Sequence, residues 1–131
     1  MIILILMENP NTEARKGDIL WSDNNLNKSG RSAHYMIFIK SHDNHYFVGA
    51  MITHSKGFNN IPLKEGHFKK ADGTGKNYKV LYDNSLVVSK PLFKKLEWSP
   101  FIKVGELTAE GVAFIEKRIL SSEPGFYFDN V

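Results

Sequence analysis

The sequence predicts a mainly β domain, a small barrel of short strands with one helix at its C-terminal end. Three observations carry that expectation. Two apolar runs rich in β-branched and aromatic residues, 35–39 and 46–52, flank an Asp43-Asn44 turn signal. Shorter apolar runs recur between clusters of Gly, Asn, Asp and Pro. A single stretch, beginning at Thr108, carries apolar residues at helical spacing. At 131 residues the chain holds one domain and one core, and a hydrophobic content of 42% supplies that core.

Residues 1–15 precede the predicted domain. The apolar tract 1–7 is too short to cross a bilayer and lacks the basic flank and cleavage site of a signal peptide. It reads as an added edge strand, as a loose arm, or as a leader to translation from Met7. The domain proper is expected over 16–131. Lys16-Gly17-Asp18 makes a turn, and Ile19-Leu20-Trp21 a short strand. Residues 22–31, rich in Asn, Ser and Gly, form a polar loop longer than most connections.

The hairpin over 33–53 is the strongest signal. A two-residue Asp43-Asn44 turn of type I′ asks for φ > 0 at both positions, which these residue types tolerate. It sets Phe38 opposite Gly49, Met36 opposite Met51 and His34 opposite Thr53, all on one face. After a loop, Ile61-Pro62-Leu63 gives a brief strand that Pro62 confines to an edge. The lysine- and glycine-rich stretch 64–77 reads as an exposed, mobile loop. Strands follow at 78–82 and 85–89, split by Asp83-Asn84. Residues 90–103 are mixed, with Leu92, Phe93, Leu96, Trp98 and Phe101 as core candidates. A helix over about 108–121 is capped by Thr108 and buries Val112, Ile115, Ile119 and Leu120, while Gly111 weakens its first turn. Phe126, Tyr127 and Phe128 mark an aromatic tail.

The chain has no cysteine, which excludes disulfides, thiolate metal sites and cysteine nucleophiles and fits a reducing, cytoplasmic home. A formal charge of +3 favours phosphates or an acidic partner. His34 facing Thr53, with Ser55 near and Arg31 entering from the loop, suits proton transfer. RNA cleavage needs a base for the 2′-hydroxyl, an acid for the leaving oxygen and positive charge for the phosphorane. The plain alternative is a polar pair at a strand end. His54, Ser55 and Lys56 extend the same strand end as RNA contacts. Lys64, Lys69, Lys70 and Lys76 form either a basic flap for a nucleic-acid backbone or a solvated loop. Gly73-Thr74-Gly75-Lys76 is not a phosphate-binding P-loop, because Lys70 and Asn77 occupy its glycine and hydroxyl positions. His42 and His45 flank the turn without a third ligand, so no metal site is expected. Trp21, Phe47, Phe58, Tyr78 and Trp98 are either stacking platform or core.

The order of these elements resembles the PemK/MazF toxins. Lys16-Gly17-Asp18-Ile19, the glycine-containing polar loop, the strand from His34 to Ser41, the end Gly49-Ala50-Met51-Ile52-Thr53, and Asn84-Ser85-Leu86-Val87-Val88-Ser89-Lys90 carry the likeness. The resemblance implies an SH3-like barrel, usually a homodimer. It also implies metal-independent, cofactor-free cleavage of single-stranded RNA through a 2′,3′-cyclic phosphate, and neutralisation by a small antitoxin protein. Thr53 matches the family's threonine directly. His34 stands where the family has an arginine, and Tyr35 where it has a proline. Either His34 supplies acid–base function with Arg31 giving charge, or the chain is a relative that binds without cutting. A second likeness, to permuted papain-like amidases, fails on the missing cysteine.

Overall fold

The computed structural model describes residues 13–22, 34–57, 59–78, 84–96 and 100–126. Expectations for the arm, Arg31 and its loop, the 79–82 part of a strand, Phe58, Trp98 and the tail beyond Phe126 lie outside the described residues. The elements run β1 (Asp18–Ser22), β2 (Met36–Ser41), β3 (Tyr46–Thr53), β4 (Ile61–Pro62), β5 (Leu86–Val87), β6 (Leu92–Lys95), β7 (Phe101–Glu106), α1 (Ala109–Arg118) and β8 (Gly125–Phe126). The protein is therefore mainly β with one C-terminal helix, and its strands join one sheet in the order β4-β5-β3-β2-β1-β7. The described ladders do not close that sheet into a ring.

β3 is the spine. Its first half pairs with β6 and its second half with β5, while β2 lies along its other side. Ile37, Ile39, Val48, Ala50 and Ile52 point to one buried cluster; Met36, Phe38, Phe47 and Met51 point to the other. Both faces of the hairpin are covered, which explains two nearly unbroken apolar runs rather than alternation.

The hairpin register contains two departures that cancel. Met36 opposes Met51 and Phe38 opposes Gly49, but nearer the tip Lys40 opposes Val48 and Ser41 opposes Phe47. The tip is not the expected type I′ turn, since neither Asp43 nor Asn44 has positive φ. Instead Asp43 Oδ1 accepts the N–H groups of His45 (2.8 Å) and Tyr46 (2.9 Å), a side chain replacing the backbone in closing the turn. The longer loop is offset by one extra residue, a bulge at Ile39.

The stretch 64–77 is not a mobile loop. It begins in a 3-10 turn, Glu65–His67, and then buries Phe68. Phe68 bridges Leu107, the Lys69 N–H donates to the Glu106 carbonyl at 2.9 Å, and Asp72 Oδ1 gathers Thr74 and Lys76. Sequence reading weighed the lysines and glycines and passed over one aromatic anchor. β6 and β7, unassigned within the mixed segment, bury Leu92, Leu96 and Phe101 as expected.

Helix α1 packs Ile115 and Ile119 against Leu63, Phe68 and Leu107. Thr108 Oγ1 accepts the Gly111 N–H at 3.0 Å and donates to the Gly66 carbonyl at 2.8 Å, so one hydroxyl caps the helix and ties it to the 3-10 turn. Thr108→Ala is expected to lower stability by about 1–2 kcal/mol in urea denaturation.

Candidate functional site

The open end of the β2–β3 hairpin holds the residues singled out for RNA chemistry. Past Met36–Met51, the Ile52 N–H donates to the Tyr35 carbonyl at 2.9 Å, so the register continues outward and His34 and Thr53 are its next pair. Both are half-buried. On its other side Thr53 pairs with Leu86 of β5, which fixes the threonine backbone from two strands.

Thr53 Oγ1 accepts the Ser55 N–H at 3.1 Å, and Ser55 Oγ accepts the Gly57 N–H at 3.4 Å. Asn60 Nδ2 donates to the Ser55 carbonyl at 2.9 Å. These local bonds turn the chain away from the sheet and leave His54, Ser55 and Lys56 exposed. His54 Nδ1 lies 3.3 Å from the Asn84 carbonyl. A carbonyl only accepts, so Nδ1 carries the hydrogen, and neutral His54 keeps its lone pair on Nε2. That tautomer gives the strand end a base whose orientation is set from β5's side. Arg31 lies outside the described residues.

The four lysines of the supposed flap are placed differently from one another. Lys69 Nζ is 2.6 Å from Glu106 Oε2, and Lys70 Nζ is 3.3 Å from Glu65 Oε1. Lys64 and Lys76 are exposed. Of the aromatic candidates, Phe47 is core at 0% exposure, Trp21 packs on Tyr35 and Tyr78 is bonded to Glu106.

The strongest electrostatic cluster is one that sequence reading missed. Asp18 and Glu106 face each other across β1 and β7, two carboxylates in a position that repels. Lys103 resolves it, its Nζ lying 3.1 Å from Asp18 Oδ1 and 3.1 Å from Glu106 Oε1. In a regular strand Lys103 and Glu106 would face opposite ways. The register shift between Ile19 and Leu20 leaves Val104 as an extra residue and brings both to one face. The Tyr78 hydroxyl donates to Glu106 Oε1 at 2.9 Å. Burial pushes Glu106 up, but Lys69, Tyr78 and Lys103 outweigh it and hold its pKa at about 2. Burial likewise opposes the charge on Lys103, yet Asp18 and Glu106 raise it above its ordinary value. Every member answers another, so the cluster is a lock joining the 64–78 segment to the sheet.

His67 is a second buried titratable group. Its Nδ1 accepts the Lys64 N–H at 3.0 Å, its ring lies 4.4 Å from that of Phe114, and burial lowers its pKa. It is a neutral core histidine. Among the described residues no group of three or more His, Asp or Glu is arranged to hold a metal ion, and no helix is long and apolar enough to cross a membrane. Comparison with family models, with curated proteins and with solved structures returns no match.

Proposed function

We propose that this chain is a PemK/MazF-like endoribonuclease, cutting single-stranded RNA without metal at the open end of the β2–β3 hairpin. The observation that carries the reading is the continued register, which makes His34 and Thr53 neighbours at the strand ends beside exposed His54, Ser55 and Lys56. Such cleavage needs two proton-transfer groups. One histidine takes the 2′-hydroxyl proton as that oxygen attacks the adjacent phosphorus. The other protonates the departing 5′-oxygen, leaving a 2′,3′-cyclic phosphate and a new 5′-hydroxyl end. We assign these roles to His34 and His54 as a pair. The Thr53 hydroxyl, whose oxygen already accepts the Ser55 N–H, still has its own hydrogen to give a phosphate oxygen. Lys56 or Arg31 supplies charge to the phosphorane. On this reading the partners are single-stranded RNA, a small antitoxin protein and a second copy of the chain, in the cytoplasm.

The test is incubation of purified protein with pooled RNA in EDTA. Cleavage products ending in cyclic phosphate are expected, with His34→Ala and His54→Ala each slowing cleavage by about 10²–10⁴-fold. Inert wild type overturns the enzyme reading, and cleavage indifferent to both substitutions overturns the assignment. A second reading, a nucleic-acid-binding module that does not cut, is favoured by the ion pairs that neutralise Lys69 and Lys70. RNA binding without products would establish it.

A further inference from the structure

The bulge at Ile39 shapes the opposite end of the hairpin. Because of it Lys40 pairs with Val48, Val48 with Phe93, and Phe93 with Phe126, a row crossing β2, β3, β6 and β8. Paired residues share a face of a sheet. Tyr46, next along that face of β3, pairs with Lys95. The rings on this face touch one another: Phe93–Phe126 centroids are 4.9 Å apart, Tyr46–Phe126 5.3 Å, and His42–Phe93 4.7 Å. Behind them Ile39 and Val48 are buried. In front, Lys40, His42 and Lys95 are exposed, and Phe126 is 53% exposed, the large apolar side chain most open to water among the described residues.

We infer that this aromatic shelf is a base-stacking platform for single-stranded RNA, roughly 23 Å along the hairpin from His34 and Thr53 at ~3.3 Å per residue. Rings presented on adjacent strands of a sheet hold successive unpaired bases, and every base has a π-face to offer them. Lys40 and Lys95 stand on different strands beside the rings, placed for the phosphates that run between stacked bases. The nearby carboxylate, Asp43, is engaged: Oδ1 takes the His45 and Tyr46 N–H groups, and Oδ2 lies 3.9 Å from His42 Nε2. A protein partner would call for the opposite composition, since lysine is depleted at the cores of protein–protein interfaces. The inference rests on the proposed function only for the choice of RNA, because stacking on this shelf does not require cutting elsewhere.

The experiment uses the full chain carrying His34→Ala, so that bound RNA is preserved, and follows fluorescence anisotropy of a short labelled oligouridine in EDTA. Phe126→Ala is expected to weaken binding by about tenfold, and Phe126→Tyr to restore it. Lys40→Gln with Lys95→Gln should flatten the slope of log affinity against log salt by about 0.7 per lost phosphate contact. Thermal melts confirm that each variant is folded. Unchanged affinity and salt slope in these variants overturn the platform, as does absence of RNA binding or a dimer that Phe126→Ala dissolves. Platform-dependent binding with inert wild type upholds the shelf and fails the enzyme. Cleavage with platform-independent binding does the reverse.

Discussion

Gly111→Ala is expected to destabilise the protein by about 3 kcal/mol, even though alanine is the better helix former by about 1 kcal/mol. A Cβ at Gly111 would lie 2.3 Å from the His67 carbonyl oxygen and 3.1 Å from that residue's carbonyl carbon and Cα. These atoms belong to a backbone that cannot retreat. The same carbonyl accepts the Thr108 N–H at 2.9 Å, and the His67 N–H donates to Lys64 at 3.0 Å. An added methyl therefore lifts α1 off the 3-10 turn, opening the contacts of Ile115 and Ile119. Propensity and packing predict opposite signs, so thermal unfolding decides directly. A fall in Tm of about 10 °C is expected. A rise would show that the helix does not dock this closely.

Glu106→Gln is expected to cost about 2 kcal/mol at neutral pH, a figure set below that for a fully buried pair because Lys69 and Lys103 are partly in water. The folded carboxyl has its pKa at about 2 against an ordinary 4.5, so its contribution is present above the ordinary value and disappears as pH falls through the folded one. Wild-type stability should thus decline from about pH 5 to about pH 2, and Glu106→Gln should flatten that decline. At the other extreme Lys103 is raised above 10.5; its contribution is complete below 10.5 and is lost as pH climbs beyond it through the folded value. Urea denaturation across pH measures both limbs. Identical acid profiles for wild type and variant would remove Glu106 as the centre of the lock.

Why some of this was legible and some not follows from the range of the interactions. The hairpin and the capped helix are written locally, in β-branched runs, in apolar spacing and in Thr108. Their pairings at Met36, Phe38, Ile115 and Ile119 appear where sequence places them. Asp43 was recognised as a turn residue for the wrong reason: its carboxylate closes the turn, without a left-handed backbone. Gly111 read as a weak point in a helix because propensity knows nothing of the carbonyl packed on it. The Asp18–Lys103–Glu106 lock was invisible because it depends on a bulge, and a one-residue bulge reverses which side chains share a face. The same holds for Lys40 on the aromatic shelf. At the candidate site, sequence placed His34 and Thr53 in register but said nothing of His54, whose tautomer is set by a carbonyl thirty residues away.

The two ends of the sheet path are guarded by different means, and this bears on behaviour at high concentration. A terminal strand offers its free N–H and carbonyl groups to any other chain, the usual route to fibrous aggregation. At one terminus β4 carries Pro62, which has no N–H to offer. At the other, Phe68 and Lys69 are laid against the C-terminal end of β7 through Leu107 and Glu106. The segment held down by Glu106 thus also serves as a cover over the strand behind it, and the carboxylate that stabilises one molecule also discourages it from recruiting the next.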